Sequence, residues 1–145
     1  MNKYAPDGAL SKDKNMIIIG FTHKTSKVLP RIFCRNFRHV AVIYSTGACL
    51  TMYQFVHRNK IVKIKLMWRD IKILTQHGWV FVCLPGVMGQ NLDKYRVCTC
   101  VQLAKHAVGM RAFCVQTPDA LYKIFCDTMQ KSSYAETRYR FANQK

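Results

Sequence analysis

The sequence predicts a small α+β domain in which an antiparallel sheet packs against two or more helices. Between residues 16 and 85, the sequence has short runs that are either continuously apolar or alternate between apolar and polar residues. Turn-forming residues separate several of these runs. Two segments with helical spacing and helix-capping residues then follow between residues 99 and 129. Strands that precede helices in this order are typical of α+β domains.

Three strands are predicted before residue 57. Residues 16–21 (MIIIGF) form a continuous apolar run that ends near a glycine, which indicates a buried strand. Residues 39–44 and 49–56 are predicted to pair as a hairpin, because the turn-forming sequence Ser-Thr-Gly at 45–47 lies between them.

Two further strands are predicted at 61–68 and 79–84. In the first of these, Lys63 and Lys65 alternate with apolar residues, which is typical of a half-solvated strand. Lysines also discourage pairing with another chain, so this strand is expected at an edge of the sheet. The second ends at a Pro-Gly pair, a common turn signal.

The first predicted helix covers 99–108. Thr99 and Gln102 have the spacing of a capping box, and Gly109 lies where a helix-ending glycine is expected. Three residues of this segment fall on one helical face: Val101, Ala104 and Val108.

The second helix is expected to begin at Thr117 and to run to about Met129. Thr117 is a capping residue, Pro118 suits the first helical position, and Asp119 adds an acid to the first turn. The sequence thus divides into a polar lead-in at 1–15, one domain at 16–130 and a basic tail at 131–145.

Composition excludes several classes of protein. The 145 residues contain 23 Lys and Arg against 7 Asp and Glu, a formal charge of +16, yet half of the residues are hydrophobic. That hydrophobic fraction excludes a disordered basic tail. No apolar run approaches the roughly 18–20 residues of a membrane-spanning helix, and the first 15 residues lack the apolar core of a secretory signal. We therefore expect a cytoplasmic protein.

The chain has seven cysteines, an odd number that argues against a disulfide framework and for reduced thiols. No C-x-x-C or H-x-x-x-H pair is present, and a structural zinc site needs four ligands, so no metal or cofactor is expected. Most of the cysteines are expected to be small core residues.

Cys100 is the candidate for chemistry. It falls in the first turn of a predicted helix, where unpaired backbone N–H groups favour a thiolate and could hold an oxyanion. A nucleophilic cysteine also needs an imidazole, and His39 opens a strand after a basic connection. Taken singly, each residue has an ordinary alternative, a packing cysteine and a structural histidine.

Three segments together resemble a known family. Residues 37–43 (FRHVAVI) are similar to the F-x-H-V-A-(I/V) strand of the circularly permuted NlpC/P60 proteins, a papain-like group. Residues 99–110 (TCVQLAKHAVGM) resemble the nucleophile helix of that family, and 117–122 (TPDALY) resembles the helix that follows in short bacterial and phage members. Histidine precedes cysteine in the permuted members, as it does here, and the resemblance covers residues 16–125.

The resemblance implies a papain-like fold and a cysteine hydrolase or acyltransferase. Cys100 would be the nucleophile and His39 the general base, acting on an amide or ester through an acyl-enzyme. Gln54, on the next strand, would be the third polar residue that orients the imidazole, although a shift of one residue would point it away. Cys98 is the competing nucleophile, placed before the helix cap rather than on the helix.

The basic charge leaves two other hypotheses open. A non-catalytic protein could bind nucleic acid or another polyanion, with Trp68, Trp79 or the aromatic residues of the tail as stacking surfaces. A degenerate member of the family could keep the fold without activity. A solvated lysine-rich face, or contact with an anionic membrane or cell wall, would explain the charge equally well.

Overall fold

The computed structural model describes residues 16–24, 36–47, 49–56, 60–85, 91–93, 96 and 99–129. Its five strands are β1 (Met16–Thr22), β2 (His39–Thr46), β3 (Cys49–Phe55), β4 (Ile61–Leu66) and β5 (Val80–Pro85). Its three described helices are α1 (Trp68–Gln76), α2 (Cys100–Ala107) and α3 (118–129). The predicted lead-in and tail, like Cys98, lie outside the described residues.

The strands form one antiparallel sheet in the order β4-β3-β2-β1-β5. β1 lies inside the sheet, between β2 and β5, and all seven of its residues are buried. This explains why its sequence is continuously apolar rather than alternating. The predicted α+β class, with an antiparallel sheet against helices, is confirmed.

Each face of the sheet carries its own apolar cluster, because successive side chains of a strand point to opposite sides. We call the first side the α2 face. Helices α2 and α3 cover it, and its buried residues include Ile17, Ile19, Phe21, Val40, Val42, Val101, Ala104, Leu121 and Phe125. We call the other side the α1 face. Its buried residues are Met16, Ile18, Ala41, Ile43, Leu50 and Met52, and it packs against Trp68, Ile71 and Leu74 of α1.

Helix α1 is absent from the sequence prediction, which extended the fourth strand to Trp68 and placed all helices after the strands. That prediction is wrong: β4 ends at Leu66, and α1 lies between β4 and β5. Trp68, Ile71 and Leu74 recur every three residues and pack on the sheet, which is a helical spacing. The carboxylate of Asp70 caps the helix by accepting a 2.7 Å hydrogen bond from the backbone N–H of Met67.

The other local predictions agree with the structure. β2 and β3 form the expected hairpin, with Gly47 in the left-handed conformation at φ 66°. β4 lies at an edge of the sheet and pairs only with β3 among the described strands. Gly109 follows α2 at φ 69°, and the Thr117 hydroxyl caps α3 by accepting from the N–H of Ala120. None of the described helices is long and apolar enough to cross a membrane.

Candidate functional site

Cys100 is the first residue of α2, as predicted. The side chain of Thr99 accepts a 3.1 Å hydrogen bond from the backbone N–H of Gln102, which gives the helix a side-chain cap. Cys100 is half-buried and packs against the cluster on the α2 face, together with its fully buried neighbour Val101. The helix cap therefore fixes the position of the thiol at the first turn, and α2 holds it on one side of the sheet.

His39 is the first residue of β2, where it pairs with Thr22 of β1. Its ring meets the Trp79 ring edge-on, with 6.3 Å between centroids. Alternation along β2 gives His39 the same side as Ala41 and Ile43, which belong to the α1 face. The half-buried imidazole thus lies on the side of the sheet opposite to the cluster that contains Cys100.

Gln54 pairs with Ala41 across β2 and β3, so it shares the α1 face with His39. Its Nε2 lies 3.3 Å from the thioether sulfur of Met52, a buried residue of the same face, and donates a hydrogen bond to it. The structure brings His39 and Gln54 to one side of the sheet and leaves Cys100 with the other side.

The described cysteines are all thiols rather than halves of disulfides: Cys49, Cys83, Cys100, Cys114 and Cys126. Burial raises the pKa of the Cys83 thiol, which favours its uncharged form. Among the described residues, no three His, Cys, Asp or Glu side chains are grouped as metal ligands would be.

Among the described residues, exposed basic side chains are concentrated at the edge of the sheet, on β4 and the helix that follows it. We call this surface the basic edge. It has five exposed basic residues within 13 positions, with Asp70 as the acid among them: Lys60, Lys63, Lys65, Arg69 and Lys72. Lys63 also forms an ion pair with the exposed Asp93, which raises the pKa of its ammonium group. The basic edge is therefore a surface on which positive charge strongly outnumbers negative charge.

Two tyrosines lie beside the basic edge on the α2 face. The rings of Tyr44 and Tyr53 are 5.2 Å apart between centroids, and both are half-buried. The ammonium group of Lys63 lies over the Tyr53 ring, 5.6 Å from its centroid. This pair is not among the site residues predicted from the sequence, although Tyr44 and Tyr53 flank a predicted hairpin turn.

The aromatic residues predicted from the sequence as stacking surfaces are not these two tyrosines. Trp68 and Trp79 are half-buried and pack against the cluster of the α1 face. The aromatic residues of the tail lie outside the described residues. The aromatic rings that share a face with Lys63 are thus tyrosines, while Trp68 packs on the opposite face.

Comparisons with family models, with curated proteins and with solved structures find no match for this chain. The similarity to the permuted NlpC/P60 group is therefore carried by its three short sequence motifs alone.

Proposed function

We propose that this chain binds nucleic acid through the basic edge. The observation that carries the proposal is the concentration of charge there: five exposed basic residues stand against two acids, Asp70 of α1 and Asp93, which pairs with Lys63. The carboxylate of Asp70 accepts from the N–H of Met67 and lies 3.9 Å from Nε of Arg69, so it offsets one cation and the surface keeps a net positive charge. A surface of this kind attracts phosphate backbones and releases their counterions on binding.

The position of the basic edge supports the same proposal. Lys63 and Lys65 share the α2 face of an edge strand, whereas Lys72 belongs to the helix that follows that strand and packs on the opposite face, so cations border the edge from both sides. Edge strands and the helices beside them are open to extended partners along their whole length. A linear polyanion can therefore contact several of these cations at once, whereas a small anion contacts one.

Binding of a labelled oligonucleotide across a range of salt concentrations tests the proposal. The double variant Lys65→Ser with Lys72→Ser should bind more weakly than the wild type, with a shallower dependence on salt. The slope of log affinity against log salt should fall by about 0.7–0.9 for every phosphate that is no longer neutralised. The matched control is Arg111→Ser with Lys123→Ser, which removes the same charge from exposed positions on another part of the chain.

Equal weakening by the control variant would mean that net charge acts without a defined site, and the proposal would fail. Binding that does not respond to salt would also reject it, because neutralising phosphates must be salt-dependent. Circular dichroism of all variants confirms that each is folded before affinities are compared.

A second candidate function is the thiol-dependent acyl transfer that the family resemblance implies, with Cys100 as the nucleophile. It is favoured by the Thr99 cap, which places Cys100 in the first turn of α2, where the helix dipole favours a thiolate. This activity requires the imidazole of His39, at the start of β2, to lie within hydrogen-bond reach of the Cys100 thiol, because a general base must reach the proton that it removes.

Alkylation with iodoacetamide near neutral pH, followed by mass spectrometry, tests this second candidate. The exposed Cys114 is the internal reference. Faster labelling of Cys100 than of Cys114, slowed by His39→Ala, would support a dyad. Labelling of Cys100 that is slower than that of Cys114, or that His39→Ala leaves unchanged, would exclude His39 as the base and remove the hydrolase hypothesis.

A further inference from the structure

The α2 face beside the basic edge combines aromatic, hydroxyl and cationic groups on three adjacent strands. Tyr53 of β3 pairs with Lys63 of β4, and Thr51 pairs with Lys65, so these four side chains share one side of the sheet. Tyr44 of β2 pairs with Thr51 and joins the same side. We call these five residues the tyrosine patch.

The two tyrosines of the patch are only partly buried in the core. Tyr44 and Tyr53 touch the buried cluster of the α2 face, yet both keep part of their surface in solvent. The rings are tilted by 53°, so neither ring is stacked on the other.

The two lysines of the patch lie along the edge strand β4, where a chain of phosphates could contact both of them. Lys65 is exposed, and the side chain of Lys63 keeps 49% of its surface in solvent despite its ion pair with Asp93. The two lysines are two residues apart on one strand, a spacing of about 6.6–6.8 Å. Phosphates could follow the edge strand while the attached bases turn inward toward the tyrosines.

We infer that the tyrosine patch binds single-stranded nucleic acid, with bases stacked on Tyr53 and Tyr44 and phosphates at Lys63 and Lys65. The inference rests on the proposed function and specifies its ligand. Aromatic rings and cations on one face are the combination that recognises unpaired strands, because every base has a face that can stack. The bases of a duplex are already stacked inside it, so a duplex gains only the phosphate contacts.

The experiment compares a labelled oligothymidylate of about twelve nucleotides with a duplex of the same length. Tyr53→Leu keeps an apolar side chain of moderate size and removes the ring, and Tyr53→Phe keeps the ring. We expect Tyr53→Leu to bind the single strand at least about five-fold more weakly, with duplex affinity unchanged. Tyr53→Phe should bind both probes as the wild type does.

Other results separate the two proposals. If Lys65→Ser with Lys72→Ser weakens binding but Tyr53→Leu leaves the single strand unaffected, or weakens both probes equally, the stacking inference is overturned and the basic edge stands. If the lysine variant changes neither probe, the proposed function itself fails.

Photo-crosslinking with the wild-type protein covers the case in which Tyr53→Leu does not fold. An oligonucleotide carrying 5-bromouracil should crosslink to a peptide that contains Tyr44 or Tyr53 when it lies against the patch. Crosslinks confined to peptides outside β2, β3 and β4 would overturn the inference.

Discussion

The backbone N–H of Phe37 donates a 2.7 Å hydrogen bond to Oδ1 of Asp119, which lies in the first turn of α3. The N–H of Asn36 donates to the other carboxylate oxygen at 3.2 Å. One side chain thus joins residues 82 positions apart in sequence and holds the segment that enters β2 against the start of α3. The Phe37 ring packs on Tyr122 of the same helix, with centroids 4.7 Å apart.

Asp119→Ala should lower the free energy of unfolding by about 1.5–3 kcal/mol, since it removes hydrogen bonds that end on a charged group. Urea denaturation measures this. Asp127→Ala, at an exposed position on the same helix, is the control and should change stability by less than about 0.5 kcal/mol. Equal losses from the two substitutions would show that the effect of Asp119 is only its charge.

Thr99→Ala should destabilise the protein by about 1 kcal/mol, because it removes the side-chain cap of α2. Thr99→Ser keeps the hydroxyl and should restore most of that stability. The measurement is again urea denaturation. If Ser and Ala behave alike, the missing methyl group rather than the hydrogen bond to Gln102 accounts for the change.

Local features of the fold were predictable because they depend on neighbours in sequence. The caps of α2 and α3, the glycine after α2 and the hairpin of β2 and β3 all follow from residues within a few positions. Helix α1 was missed because the apolar residues Leu66, Met67 and Trp68 directly continue the alternating run of β4, and because its cap residue, Met67, is not one that usually begins a helix. The pairing of β5 with β1 could not be predicted from local sequence, since it joins segments that are distant along the chain.

The positions of the candidate site residues were likewise only partly predictable from the sequence. The place of Cys100 on α2 depends on local capping and could be predicted. The side of the sheet that His39 and Gln54 occupy depends on which residues of β2 meet the helices, and a shift of one position reverses it. The contact between Tyr53 and Lys63 likewise requires the register of β3 and β4, which alternation alone does not fix.

Gly20→Ala should destabilise the sheet, because a Cβ at this position would lie 2.8 Å from Cε1 of Phe81 and 3.0 Å from Cε3 of Trp79. Those two rings are stacked within 10° of parallel, so neither can move without disturbing the other. Overpacking of this kind costs about 1–3 kcal/mol.

Gly109→Ala is the control for Gly20→Ala. It has open space around the added methyl group but a φ of 69°, so it should cost about 1 kcal/mol through backbone strain. Near-ultraviolet circular dichroism separates the two, because only Gly20→Ala should alter the signal of Trp79. An unchanged aromatic spectrum in Gly20→Ala would contradict the contact.

Alkaline pH should destabilise the protein through Tyr44. Burial raises the pKa of its phenol, and the neighbouring Tyr53 raises it further. The folded protein therefore favours the protonated phenol, and the resulting stabilisation is complete below the ordinary tyrosine pKa of about 10. As the pH rises above that value, the unfolded chain ionises first, and this contribution is lost until the folded protein ionises as well. Since Tyr44 is only half-buried, the loss should be well below the limit of about 1.4 kcal/mol per pH unit.

Tyr44→Phe isolates this effect, because it removes the phenol and keeps the ring beside Tyr53. The difference in free energy of unfolding between wild type and Tyr44→Phe should be constant from about pH 7 to pH 9. Above about pH 10 it should shift in favour of the variant. Urea denaturation at each pH measures the difference, and lysine ionisation cancels because both proteins carry the same lysines. Parallel stability curves through about pH 11 would show that the phenol of Tyr44 ionises as readily in the folded protein as in the unfolded chain.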